Sequence, residues 1–249
     1  MNTDTSHNQP NLEKLQASHR DSALVRYRTV AVGRQGTNAA LLLFEMINTC
    51  VLPLPGRFGR FARNLLLPLA GARIGNKVRI GRDCTIRNPA AIEIGAETVI
   101  EDRVCLDVKP DAERLIIGSN VLLGRGTICN CAGGTLEIGD GSRIAASCRL
   151  GSKLGLRIGR NCRIGAEACC SGAAHAYDNR NIPIALQPVT CKGPTLIGDN
   201  VVIGDRATVL DGVKIGANVH IAADSLINSD VPDNTIVAGV PGRIRGRTE

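Results

Sequence analysis

The stretch 171–196, SGAAHAYDNRNIPIALQPVTCKGPTL, gathers His175, Tyr177, Asp178 and Arg180 within six positions. An imidazole can exchange a proton near neutral pH, so general acid–base chemistry is open to this segment. A lone histidine in a loop is most often merely solvated, and His175 shares residues 74–231 only with His220. The ten cysteines are the other reactive groups. No C-x-x-C pair occurs among them, and the neighbours Cys129/Cys131 and Cys169/Cys170 read as products of packing rather than as metal ligands. Whether His175 acts therefore depends on what holds its segment.

What holds it is a repeat. From residue 74 to 231 an aliphatic residue recurs every six positions, usually followed by Gly, with a small residue at the fifth place. Ile74-Gly-Asn-Lys-Val and Ile203-Gly-Asp-Arg-Ala are examples. The aliphatic place falls at 74, 80, 86; 94, 100, 106; 117, 123, 129; 138, 144, 150; 158, 164, 170; 197, 203, 209; and 215, 221, 227. These 21 residues are 15 Ile, 3 Leu, 1 Val and 2 Cys, and Gly follows 12 of them. Extra residues enter only after every third unit, so successive triplets start 20, 23, 21, 20, 39 and 18 residues apart. A period of six cannot keep one face on a helix. It fits a triangular coil of three short strands per turn, coils stacked about 4.8 Å apart. Aliphatic and fifth-place residues point inward, insertions leave at one corner, and Gly is expected to supply the sharp turn. Cys84, Cys148 and Cys162 take the small place and Cys129 and Cys170 the aliphatic place, which makes all five packing residues. The stretch 171–196 is the largest insertion, stiffened by Pro183, Pro188 and Pro194.

Composition agrees with such a prism. Aromatics are 2% of 249 residues and Trp is absent, so the core must be aliphatic. The formal charge is +7, which alone is weak evidence for nucleic-acid binding, and none is expected. Residues 1–23 are polar and lack an apolar run; with no pairing pattern among the cysteines, this sets the expectation of a cytoplasmic protein with free thiols. Residues 1–38 read as a mobile polar tail. Residues 39–72 follow as an apolar and basic helical segment, too short in its apolar run, and too interrupted by Glu45 and Pro53, to span a membrane. Phe58, Phe61 and Leu65 share one helical face beside Arg57, Arg60 and Arg63. Two readings stand side by side: a membrane-surface contact through 39–70, or a cap on the open end of the prism. Residues 73–231 form the repeat domain, and 232–249 a basic C-terminal cap.

The repeat resembles the hexapeptide-repeat family, and that resemblance implies a left-handed parallel β-helix. Within the family, His175-Ala-Tyr177-Asp178-Asn-Arg-Asn-Ile-Pro183-Ile184-Ala-Leu-Gln187 is similar to a loop motif of the sugar O-acetyltransferases, such as the maltose and galactoside enzymes. The likeness runs through IGDNVVIGDRATVLDGVKIG to DVPDNTIVAGVPGRIRG and covers roughly residues 74–247. The basic helical lead-in looks like that of the surface-polysaccharide members. The resemblance implies acetyl-CoA as co-substrate, no metal, a sugar or glycan acceptor, and a homotrimer with sites between neighbouring prisms. It implies His175 as general base, Asp178 as its candidate orienting group, and Tyr177 and Arg180 as candidate acceptor contacts. Ala223 and Asn228 fall at positions lining the pantetheine groove, and Arg243, helped by Arg245 and Arg247, at the phosphate position.

Three departures stand against it: Ala174 and Gly172 replace the usual Asn and acid, and Val202 replaces a usual Trp. They leave open an altered acceptor, or a non-catalytic scaffold that has lost the chemistry. A γ-type carbonic anhydrase needs three His ligands, and the repeat region has two. Serine acetyltransferases carry a much larger helical N-terminal domain.

Overall fold

The computed structural model describes residues 22–170 and 173–248. Three parallel sheets make a left-handed triangular β-helix of about seven coils, entered through a short helical region. The sheets hold seven, nine and seven strands, and each takes every third unit of the repeat. The aliphatic places stack in register. On the first side Ile74 pairs with Ile94, Ile94 with Ile117, and Ile158 with Ile197 across the largest insertion. On the third, Leu106 pairs with Cys129, Leu150 with Cys170 and Cys170 with Val209. Twenty-one residues can therefore leave the coil without disturbing the core, because the strands on either side find the same partners.

The glycines serve a different purpose from the one expected. The left-handed turn residue of a unit is at place four, where Lys77, Asp83, Glu97, Asn120, Asn161, Asn200 and Asn218 have φ between 55 and 61°. Asn and Asp tolerate that conformation. Gly at place two is required by the next coil: a Cβ on Gly95 would stand 2.5 Å from the carbonyl carbon of Gly118, and one on Gly159 equally close to that of Gly198. Asp at place three ties the same corner. The Asp199 and Asp205 carboxylates accept from the Arg160 and Ala166 N–H groups of the coil beneath, each at 2.8 Å.

Fifth-place side chains in the first two units of each triplet are buried, and the hydroxyls among them stitch coils together, as when Thr98 donates to the Gly118 carbonyl at 2.7 Å. The five packing cysteines are buried as expected. Burial pushes the Cys84 and Cys148 thiols up to about 11, which makes them poor nucleophiles.

Both ends of the prism differ from the sequence boundaries. Residues 1–21 lie outside the described residues, but 23–38 are not a tail. Ser22 caps a helix Ala23–Val32, whose Ala31 and Val32 pack on Leu41 and Phe44 of a second helix, Asn38–Met46. A third helix, Gly56–Leu66, covers the first coil. Here Arg63, expected among the surface arginines, is fully buried: it donates to the carbonyls of Ile80 (3.0 Å), Leu54 (2.7 Å), Val51 and Leu52 (both 3.2 Å). Asn64 donates to Val78 O at 2.7 Å. The helix thus stands in for a missing coil and covers an exposed edge. At the far end the prism continues past 231. Val231 bridges to Ile215, Thr235–Ala238 adds a parallel strand, and Arg243–Arg247 folds back antiparallel upon it.

Candidate functional site

The insertion 171–196 is built as a hairpin. Ala174–His175 pairs antiparallel with Val189–Thr190, with His175 opposite Val189. Its tip is closed by Gln187, whose buried amide donates to the carbonyls of Asn179 (2.8 Å) and Ile182 (2.9 Å) and accepts from the Asn179 N–H (3.3 Å). The chain of the same residue holds the imidazole: His175 Nδ1 lies 2.9 Å from the Gln187 carbonyl oxygen. A carbonyl only accepts, so Nδ1 carries the proton and Nε2 is left with its lone pair. His175 as a whole is half-buried.

The orienting role expected of Asp178 thus falls to the Gln187 main chain. Among the described residues Asp178 makes no hydrogen bond to the imidazole, and it is exposed. Tyr177 and Arg180 are exposed too, free to meet a ligand but not preorganised. Gln187 closes the same sequence motif that His175 opens, but its role toward the imidazole lies in a main-chain carbonyl that no residue type announces.

Beside the hairpin runs a groove of about 700 Å³ along the corner where insertions leave the coils. Arg34, Asp111, Glu113, Gly133, Lys153 and Thr190 are among its walls. Lys153 donates to the Val189 carbonyl and Arg34 pairs with Asp111. Because Val189 stands opposite His175, the groove and the imidazole share one hairpin.

The residues expected at the coenzyme site gather on the last coil. Ala223 and Asn228 are exposed on either side of the strand Leu226–Ile227. The segment before Arg243 packs on that strand, with Leu226 N–H donating to Gly239 O (3.0 Å) and Gly242 N–H to Leu226 O (2.7 Å). Arg243, Arg245 and Arg247 are exposed on the final strand. The His175 hairpin leaves the same corner that Asn228 occupies, but two coils earlier, about 10 Å along the axis. Val202 is half-buried on the second sheet between Arg163 and His220, and His220 is a surface residue as expected. Gly172 lies outside the described residues. No group of three His, Cys, Asp or Glu among the described residues could hold a metal ion.

Comparison with known proteins agrees with this architecture. Residues 194–229 match the bacterial transferase hexapeptide (six repeats), and residues 155–174 the hexapeptide repeat of succinyl-transferase. The chain is 33% identical over 86 residues, 34% of its length and 30% of the relative's, to 2,3,4,5-tetrahydropyridine-2,6-dicarboxylate N-acetyltransferase of Staphylococcus aureus. It is 27% identical over 183 residues, 67% of its length and 35% of the relative's, to the bifunctional protein GlmU of Listeria monocytogenes. It therefore spans about a third of the length of these curated relatives. Among solved structures, a variant of AntD, an N-acyltransferase from Bacillus cereus in complex with dTDP-4-amino-4,6-dideoxyglucose and coenzyme A, superposes with a TM-score of 0.53. It is 23% identical and covers 75% of this chain and 89% of that one. With its three-sided prism, in-register aliphatic ladders and the repeats matched at 155–174 and 194–229, the chain has the left-handed β-helix fold and is similar to hexapeptide-repeat transferases.

Proposed function

We propose that this protein is an acyltransferase that moves an acetyl group from acetyl-CoA to a hydroxyl of a sugar or glycan acceptor. The observation that carries the reading is His175, held through Nδ1 by the Gln187 carbonyl so that the ring's lone pair is on Nε2, as a base requires. Nε2 takes the proton of the acceptor hydroxyl as its oxygen attacks the thioester carbonyl carbon. The C–S bond then breaks, and the imidazolium returns the proton to the departing thiolate. The exposed Ala223 and Asn228 suit a pantetheine arm, and the guanidinium groups of Arg243 and Arg245 suit its phosphates. Family members named as acetyltransferases support acyl transfer. An ester rather than an amide product rests on the motif around His175, a place in surface-polysaccharide assembly on the resemblance of the basic helical lead-in, and the cytoplasm on the polar residues 1–23 and the cysteine pattern.

The test is release of coenzyme A thiol from acetyl-CoA with a panel of sugars, sugar nucleotides and cell-surface glycans. The product is then treated with hydroxylamine, which cleaves an ester and spares an amide. An acceptor-dependent, hydroxylamine-labile product is expected. An amide would overturn the choice of a hydroxyl, and no turnover with any acceptor would favour a scaffold.

Gln187 is a positioning residue in this scheme. Gln187→Leu keeps the main-chain carbonyl but removes the three bonds that shape the hairpin tip. Misplacing the base is expected to lower kcat about 10²-fold with little change in KM for acetyl-CoA and in the melting temperature. An equal loss in both kinetic constants would contradict positioning.

We further propose a homotrimer. The outer side of the third sheet carries Thr85, Cys105, Ile128, Cys169, Thr208 and Leu226, all half-buried; its charges are Arg149 and, on the first two strands, Arg87 paired with Asp107. From Ile128 to Leu226 that row has Arg149 as its one charge, whereas Arg143 and Arg163 on the second sheet and Glu137, Arg157 and Lys214 on the first interrupt theirs, which suits the third sheet to self-association. Sedimentation is expected to give three times the 26.3 kDa chain mass; one chain mass at micromolar concentration would reject it.

A further inference from the structure

The helix Gly56–Leu66 has two unlike faces. Gly59, Ala62 and Arg63 are turned to the prism. The opposite face carries Phe58 (72% exposed), Phe61 (65%) and Leu65 (56%), and Leu69 (66%) extends the strip into the next turn. Spacings of three and four residues stack these side chains along one side of the helix. Two of the chain's three phenylalanines are thus spent in solvent. The helix contains no acidic residue, and Arg57 and Arg60 are exposed beside the strip. Over residues 22–72 six arginines stand against one acid, Glu45, which accepts from the Tyr27 hydroxyl. The helix Asn38–Met46, which contacts the turn holding Leu69, adds Leu42 (72%) and Met46 (41%).

Scattered apolar side chains on a surface need no explanation, but a continuous strip edged by one sign of charge does. We propose that this face lies on the surface of an anionic lipid bilayer. Phe58, Phe61, Leu65 and Leu69 enter the boundary between headgroups and acyl chains, and Arg57 and Arg60 pair with lipid phosphates. Charge decides the occupant, since an apolar strip flanked by arginines and free of carboxylates complements an anionic interface. The contact is peripheral, because no helix among the described residues is long and apolar enough to cross a membrane. The surface is independent of the acyl-transfer reading.

The test uses the full chain and sedimentation with vesicles of phosphatidylcholine, with or without phosphatidylglycerol. Wild type is expected to pellet with the anionic vesicles at low salt and to be released as salt rises. Arg57→Gln/Arg60→Gln should weaken that partition about thirtyfold. Phe58→Ser/Phe61→Ser should weaken it by about tenfold or more. Both double variants should melt like wild type, because all four side chains are exposed. Wild type that stays in the supernatant with anionic vesicles overturns the proposal, as does equal pelleting of wild type and both variants. If wild type does not pellet and Phe58→Ser/Phe61→Ser sediments as a smaller species, the strip joins copies of this chain and the lipid assignment falls.

Discussion

His175→Ala is expected to lower turnover by roughly 10²–10⁴, the usual contribution of a positioned general base, while fold and coenzyme affinity stay nearly unchanged. The fold should persist because His175 sits on a hairpin outside the stacked core, and the hairpin keeps main-chain bonds such as Ala176 N–H to Pro188 O (2.8 Å). Losing the ring removes one surface-side hydrogen bond, to the Gln187 carbonyl, about 1 kcal/mol. Affinity for coenzyme A should persist because Ala223, Asn228 and Arg243 belong to the last coil and its final strand. His175→Asn separates the two functions of the ring: its amide can still donate to the Gln187 carbonyl, but it offers no basic nitrogen to the acceptor. It should therefore be as inactive as the alanine variant while keeping a hairpin like that of wild type. If wild type and both variants turn over equally on an acceptor that wild type acetylates, His175 leaves the mechanism. The departures at Ala174 and Gly172 would then mark a base located elsewhere.

The prism was legible because its rule is local and repeated. An aliphatic residue every six positions, with insertions confined to every third unit, fixes which strands pair and in what register, and Ile158 finds Ile197 across the long insertion as that rule requires. The glycines show where such reading stops. Their identity was visible, but the reason for it lies in the backbone of the next coil, where a Cβ would collide: with Gly118 for Gly95, and with Gly198 across the long insertion for Gly159. His175 shows the same limit. Its neighbours in sequence offered Asp178, a side chain, whereas its partner is a main-chain carbonyl twelve positions on. Every residue has such a carbonyl, so no residue type announces it. Arg63 was misplaced for a related reason: helical spacing puts it near Arg60, but the four carbonyls that receive it come from the preceding turn and from the first coil.

That burial makes Arg63→Met the substitution with the largest expected effect on stability. Arg63 is 1% exposed, and its guanidinium serves four main-chain acceptors, the carbonyls of Val51, Leu52, Leu54 and Ile80. Methionine fills much of the volume but donates nothing, so those carbonyls lose a charged donor inside the interface between helix and prism. Hydrogen bonds to charged groups are worth about 1.5–3 kcal/mol each, and shared donors contribute less than their sum, so a loss of about 3 kcal/mol or more is expected. For a chain of this size that corresponds to a drop of roughly 6–12 °C in melting temperature. Arg63→Lys should recover only part of it, because one ammonium cannot match the spread of a planar guanidinium. The damage should begin at the helical end. Asp83 N–H donates to Leu52 O (3.0 Å) and Asn64 to Val78 O, so the segment carrying these acceptors is what covers the first coil. Hydrogen exchange should accordingly accelerate first at residues 74–86, well before the coils around Ile203. A variant that melts within about a degree of wild type, with protection unchanged in the first coil, would mean that the helix is not a cap. The exposed Phe58 and Phe61 strip would then be left as the only reason for the helix to be there.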